Sequence, residues 1–158
     1  MLFRSLSLEL GYRIFSITDS VLLVNPEYLT VNGKQESYPY IRIKYLDDRR
    51  DVRAFPLDGY KVQAEIAQYG LGGWGTSRFI KYDGSFSYHK SLTKRWNVAG
   101  GFYGFGLIGN KVPYYEKQFI GFLNFLRGYE NYVIDASTYG MLKTEIKYAI
   151  IPRKIVTF

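Results

Sequence analysis

Residues 80–88 read Ile80-Lys81-Tyr82-Asp83-Gly84-Ser85-Phe86-Ser87-Tyr88, so apolar or aromatic side chains alternate with charged or small ones. Strict alternation is the pattern of a β-strand that has one apolar face. The same period recurs in residues 6–14, 40–45, 60–66 and 142–150, and more weakly in residues 96–108. The pattern predicts an all-β chain of about six strands, each of roughly ten residues or more, with no competing helical stripe.

The composition agrees with strands and excludes several classes of site. The chain has 158 residues, 47% of them hydrophobic, with 16 Tyr, 16 Gly, one His and no Cys, and its net charge is +7. The absence of Cys excludes a disulfide framework, a Cys-based zinc site and a Cys nucleophile. No apolar run is long enough for a transmembrane helix. A basic, Tyr-rich β chain could serve either nucleic acid or a membrane.

The links between the predicted strands alternate in length. Long links are expected over residues 19–37, 70–75 and 109–138, and short turns over residues 55–59 and 92–95. Long loops at one end and short turns at the other are typical of an antiparallel, up-and-down outer-membrane β-barrel. The alternation itself fits two folds, because the apolar face could contact lipid or could be the core of a soluble sandwich.

Motifs that could carry catalysis have ordinary interpretations here. Gly70, Gly72 and Gly75 match G-x-G-x-x-G, but a predicted strand follows where a dinucleotide site needs a helix. His89 has no nucleophile or orienting carboxylate beside it in any recognisable motif. The aromatic residues share a face with Ile and Val, opposite the charges, which does not favour a nucleic-acid platform. We therefore expect no enzyme, no metal, no cofactor and no nucleic-acid partner.

The longest link carries the most specific feature, Arg127-Gly128-Tyr129. A loop that keeps six aromatic residues is expected to fold onto the protein: Tyr114, Tyr115, Phe119, Phe122, Phe125 and Tyr129. An arginine tucked in such a loop needs a carboxylate partner, since an unpaired buried guanidinium is costly. Glu145 lies on the charged face of the last strand and is the predicted partner.

A second cluster follows the second strand, where Asp48, Arg49 and Asp51 precede a turn with Pro56 and Gly59. It is either a solvated charge cluster or a salt-bridge network at the rim of a barrel.

Together these elements resemble the C-terminal barrel of the BamA/TamA superfamily, the bacterial surface-antigen family of outer-membrane proteins. The resemblance rests on Arg127-Gly128-Tyr129 after Pro113 and Phe119-Ile120-Gly121, on the strand Thr144–Tyr148, and on the Asp48–Gly59 turn. It implies a larger barrel whose loop folds into the lumen, with Arg127 paired to Glu145, Gly128 allowing close backbone approach and Tyr129 anchoring the loop tip. It also implies insertion or translocation of polypeptides without catalysis.

The resemblance implies a bacterial outer-membrane location within a longer parent chain. The implied partners are the lipid bilayer, unfolded outer-membrane or secreted polypeptides, and assembly-complex lipoproteins. Since a closed barrel needs about eight strands, residues 1–158 are expected to be one partial barrel domain, inactive by itself. A soluble basic β-barrel or sandwich that binds a small ligand or nucleic acid is the alternative. The sequence leaves open an assembly factor, a secretion transporter or a hydrolase-linked barrel.

Overall fold

The computed structural model describes residues 3–30, 33–109, 112–121 and 133–150. Within these ranges the chain forms eight strands, one short α-helix and one 3-10 helix. The strands are β1 (Phe3–Ser16), β2 (Gln35–Asp48), β3 (Gly59–Tyr69), β4 (Phe79–Ser91), β5 (Trp96–Ile108), β6 (Gln118–Gly121), β7 (Val133–Ala136) and β8 (Thr138–Tyr148). The helices are α1 (Asp19–Val24) and the 3-10 helix Tyr114–Glu116.

Six of the strands form one antiparallel sheet in the order β1-β2-β3-β4-β5-β8, and the sheet does not close. Each predicted strand lies largely within one of these six, so the all-β prediction is confirmed, and the open sheet fits a part of a barrel. The short strands β6 and β7 pair with each other inside the longest link. The alternation did not predict them or α1, because each is too short to display a period.

The strand register sorts side chains cleanly onto two faces. One row across four strands joins Leu8, Ile43, Ile66 and Tyr82, and the next row joins Glu9, Arg42, Ala67 and Lys81. We call the first the outer face and the second the inner face. The outer face leaves large apolar side chains uncovered, among them Leu6 (74% exposed), Leu10 (69%), Phe102 (52%) and Leu142 (75%). A soluble sandwich would bury this face, whereas a membrane barrel presents it to lipid.

The links define two ends of the sheet. The links after β1, β3 and β5 leave the sheet at one end, which we call the long-loop end, and residues 49–58 and 92–95 lie at the opposite, short-turn end. The prediction of a tight β2–β3 turn over residues 55–59 is wrong in extent, because Asp51 holds a wider loop. Its Oδ1 accepts hydrogen bonds from the backbone N–H groups of Leu57 and Asp58. The contrast in loop length is therefore weaker than the sequence indicated.

The buried core lies on the inner face near the long-loop end. It consists of Tyr38, Ala67, Tyr69, Phe79, Phe105 and Leu107. Tyr69 and Phe79 stack with ring centroids 4.6 Å apart, and Tyr38 meets both edge-on. Among the described residues, no helix combines the length and the apolar character needed to cross a membrane.

Candidate functional site: a loop docked on the inner face

The core is covered by the described parts of the longest link, residues 112–121 and 133–137, which we call the docked loop. Its 3-10 helix begins after Pro113, which is fully buried, and the backbone N–H of Glu116 donates to the Pro113 carbonyl at 3.1 Å. The β6–β7 hairpin follows, with Gln118 opposite Ala136. The docked loop therefore has hydrogen-bonded structure of its own in addition to its contacts with the sheet.

Glu116 joins the docked loop to two strands of the sheet. Its carboxylate lies 2.5 Å from Arg13 Nη1 on β1 and 3.0 Å from Lys81 Nζ on β4. The Glu116 side chain is only 5% exposed, whereas those of Arg13 and Lys81 are 34% and 21% exposed. A buried carboxylate is stable only when it is paired in this way. The loop therefore supplies the acid and the sheet supplies the bases.

Tyr115 makes a second contact, with β2. Its hydroxyl lies 2.7 Å from the Tyr38 hydroxyl and donates to Glu36 Oε2 at 3.1 Å. Glu36 is fully buried and also accepts a hydrogen bond from Thr30. Phe15 stacks on the Tyr115 ring with a centroid separation of 4.4 Å. Burial, reinforced by the bond to Tyr38 and the nearby Glu36 carboxylate, raises the pKa of Tyr115 far above its usual value.

Gln118 makes a third contact, with β5 and β8. Its Oε1 accepts hydrogen bonds from the Tyr103 hydroxyl at 3.2 Å and from the Tyr139 hydroxyl at 2.6 Å. The backbone N–H of Tyr114 donates to the Tyr28 carbonyl in the β1–β2 link, at 3.2 Å. The docked loop is therefore bound to both edges of the six-stranded sheet and to a neighbouring loop.

Arg127, Gly128 and Tyr129 lie outside the described residues, so their predicted roles stay predictions. Glu145 lies on the inner face of β8, opposite Ala99. Its carboxylate is 3.3 Å from Lys147 Nζ, and its side chain is 61% exposed. The pairing of Arg127 with Glu145 likewise stays a prediction.

The alternating pattern did not predict the roles of Glu116, Glu36, Arg13 and Lys81. The alternation does predict that Arg13 and Lys81 lie on the polar face of their strands. It does not predict which distant residue pairs with them, and Glu116 is about a hundred residues from Arg13. A useful signal was available at Glu116. It is a carboxylate beside Pro113, Tyr114 and Tyr115 in a loop expected to be covered.

At the short-turn end the second predicted cluster is rich in ion pairs. Asp48 accepts two hydrogen bonds from the Arg50 guanidinium, at 2.8 and 2.7 Å, and one from the Arg50 backbone N–H at 3.3 Å. The neighbouring Asp47 pairs with Arg4 on β1 and with Arg49. Pro56 is buried, and Gly59 has φ +107°. A Cβ at position 59 would lie 2.2 Å from the Arg49 carbonyl oxygen, so the turn requires glycine there.

The geometry thus combines a lipid-type outer face, a charged inner face and a loop folded onto that inner face. The family model for the Omp85 superfamily domain matches residues 4–147, which takes in all eight strands but for the ends of β1 and β8. The chain belongs to the Omp85 superfamily. This membership confirms the resemblance to BamA/TamA-like barrels. The comparisons with curated proteins and with solved structures gave no match.

Members of the Omp85 superfamily are bacterial outer-membrane proteins that act on polypeptides in assembly or secretion, and they are not enzymes as a family. The Gly70–Gly75 link leads into β4 and not into a helix, as the sequence predicted. Within residues 3–30, 33–109, 112–121 and 133–150, no group of three or more His, Cys, Asp or Glu side chains could hold a metal ion.

Proposed function

We propose that residues 1–158 are the central part of an Omp85 barrel that inserts or translocates polypeptides across the bacterial outer membrane. The observation that carries this proposal is the docked loop, since Glu116 on it is bound by Arg13 and Lys81 from two separate strands. A loop held this firmly on the inner face fixes the shape of the passage beside it. Six strands alone leave two unpaired edges, so the isolated piece is expected to lack insertase activity.

In this proposal the outer face contacts lipid and the inner face contacts polypeptide. Exposed residues such as Leu8, Ile66 and Phe102 suit a hydrocarbon environment. The inner face instead carries mixed charges in networks, for example Arg42 with Glu9 at 3.2 Å and with Glu65 at 3.1 Å. The proposed substrates are unfolded outer-membrane or secreted polypeptides, and assembly-complex lipoproteins are the proposed partners.

Arg127 is the proposed functional residue of the loop, with Gly128 and Tyr129 beside it and Glu145 as its acidic partner. Glu145 lies six residues along β8 from Tyr139, which binds Gln118. At the rise of a β-strand this places Glu145 about 20 Å nearer the short-turn end. The pairing therefore requires the loop to reach well down the lumen and to compete with Lys147 for Glu145.

The test uses the full-length protein reconstituted in lipid vesicles, with an unfolded outer-membrane polypeptide as substrate. Arg127→Ala should lower the folded yield of substrate and raise the protease sensitivity of residues 109–138, while Arg127→Lys should retain part of both. Glu145→Gln should reproduce the effect of Arg127→Ala, and the double variant should be no worse than either single one. Unchanged protease sensitivity of the loop in Arg127→Ala would contradict the proposal.

A further inference from the structure

The short-turn end holds a cavity that the docked loop does not fill. Its volume is about 430 Å³, and it lies between the 49–58 turn, the 92–95 turn and the end of β8. Three large apolar or aromatic side chains line it: Phe55, Leu57 and Tyr148. Phe55 is 54% exposed and Tyr148 is 48% exposed, so the cavity is open and apolar surface remains available in it. We call it the rim cavity.

The walls of the rim cavity are held in place by hydrogen bonds between separate segments. Asp58 in the first turn accepts from the Ser91 backbone N–H at 3.0 Å and from Ser91 Oγ at 2.5 Å. Arg95 in the second turn donates to the Tyr148 hydroxyl at 3.1 Å, and its carbonyl accepts from the Ala149 N–H at 2.8 Å. A ligand would therefore enter a preformed site and would pay little ordering entropy.

The charge of the rim cavity has one sign. Its charged lining residues are Lys94 and Lys147, and no carboxylate lines it. Lys147 Nζ lies 4.6 Å from the Phe55 ring centroid and is neutralised by Glu145. Lys94 forms no ion pair with any of the described residues. An occupant that complements this surface carries negative charge next to an apolar group.

The position of the rim cavity bears on whether an occupant with negative charge next to an apolar group is a polypeptide or an anionic lipid. Of the strand residues that line the cavity, the register places Ser91, Asn97 and Lys147 on the inner face and Tyr148, at the rim, on the outer face. The cavity is therefore built largely from the polypeptide-facing side of the sheet, whereas lipid contacts the outer face. This location favours a polypeptide over an anionic lipid.

We propose that the rim cavity binds an extended polypeptide segment of a partner protein, in which an aromatic or branched apolar side chain is flanked by carboxylates. The apolar side chain would pack between Phe55 and Tyr148, and a carboxylate would pair with Lys94. This site is separate from the docked loop. The choice of a polypeptide as its occupant rests on the proposed function, which assigns the inner face to polypeptide, but the binding itself requires no insertion or translocation activity.

The test measures binding of a fluorescein-labelled peptide, acetyl-Glu-Asp-Phe-Asp-Glu-amide, to the full-length protein in neutral lipid vesicles by fluorescence anisotropy. Lys94→Glu should weaken binding by about tenfold or more, because it replaces attraction by repulsion. Lys61→Glu is the matched control, since Lys61 lies at the same end, opposite Asp48, but does not line the cavity, and it should change binding by less than about threefold. Replacing the peptide Phe by Ser should also weaken binding.

Saturable binding that Lys94→Glu weakens and Lys61→Glu spares would support the proposal, whatever the assembly activity of the protein. No saturable binding, equal binding of a peptide with Lys in place of Glu and Asp, or equal loss in both variants would overturn it. Displacement of the peptide by adding anionic phospholipid to the vesicles would assign the cavity to lipid and would also overturn it.

Discussion

The two ends of the inner face differ in how far loops cover them. At the long-loop end the docked loop covers the sheet, so Tyr38, Tyr69 and Phe79 are at most 1% exposed. At the short-turn end the turns bind the neighbouring strand ends, for example Asp58 to Ser91, and leave the rim cavity open, with Phe55 54% exposed. Both ends use strands of one alternating pattern. The difference teaches that the loops, more than the strand sequences, decide which inner-face residues are buried.

Removing the loop carboxylate should have the largest effect on this contrast. Glu116→Ala leaves Arg13 and Lys81 facing each other without an acid, and we expect a loss of about 2–3 kcal/mol in the free energy of unfolding. This loss lies below the range of about 3–5 kcal/mol for fully buried pairs, because Arg13 is still one-third exposed. Urea unfolding of the protein in lipid vesicles measures the loss, together with faster proteolysis of residues 109–138.

The matched control is Asp19→Ala at the same end. Asp19 pairs with Lys34 at 2.7 Å, but both side chains are more than half exposed. Its loss should cost less than about 0.5 kcal/mol. Equal effects of the two substitutions would mean that the docked loop is not held by Glu116.

A smaller effect is expected at the short-turn end from Gly59→Ala. The positive φ of Gly59 and the 2.2 Å approach of a Cβ to the Arg49 carbonyl should together cost about 2 kcal/mol. Gly72→Ala at the other end is the comparison, since φ is +60° there but no atom lies within 4 Å of the added Cβ. In urea unfolding, the free energy of unfolding of Gly72→Ala should be clearly higher than that of Gly59→Ala. The reverse order would contradict the turn geometry.

Tyr115→Phe should cost about 1–2 kcal/mol, because it removes a hydroxyl and leaves the buried Glu36 carboxylate with one donor fewer. Tyr12→Phe removes a hydroxyl bonded to Ser37 on the exposed outer face and should cost under about 0.5 kcal/mol. The same unfolding assay compares them. If the Tyr12 substitution costs as much, burial by the docked loop is not the cause.

The smallest effect concerns the acid stability of the 49–58 turn. The hydrogen bonds from Ser91 hold the pKa of Asp58 below its ordinary value. A lowered pKa in the folded state stabilises the turn above the unfolded pKa of about 3.9, and this contribution disappears as the pH falls through the lowered value. Asp58→Asn should remove this pH dependence. Proteolysis of the turn between pH 5 and pH 2, using an acid-active protease, follows it, and an unchanged profile would contradict the assignment.

Much of this fold could be predicted from the sequence. Alternation in segments such as residues 80–88 predicted the six long strands, since a period of two recurs over at least six residues in each, although more weakly in residues 96–108. The faces followed from the same period, but the environment of the apolar face did not. Alternation is identical for a lipid-facing and a core-facing surface. The resemblance to a family, confirmed by the match over residues 4–147, is what favours a lipid-facing surface.

The site was harder to predict for a physical reason. Glu116 and Arg13 lie 103 residues apart, and their contact depends on how a folded link lies across five strands. The sequence did predict a covered, aromatic loop, because Tyr114, Tyr115 and Phe119 occur too close together for a solvated segment. It placed the arginine in the loop and the acid on the sheet for the predicted Arg127–Glu145 pair. In the structure the acid, Glu116, lies in the loop, and the bases, Arg13 and Lys81, lie on the sheet.

The most direct test of the docked loop is therefore a charge exchange between Arg13 and Glu116. Arg13→Glu alone and Glu116→Arg alone should each expose residues 109–138 to protease in the membrane-reconstituted protein. The double variant restores the ion pair between positions 13 and 116 but sets the arginine introduced at 116 against Lys81, so we predict protection greater than in either single variant and below the wild-type level. A double variant as sensitive as the more sensitive single one would contradict the docking of the loop through Glu116.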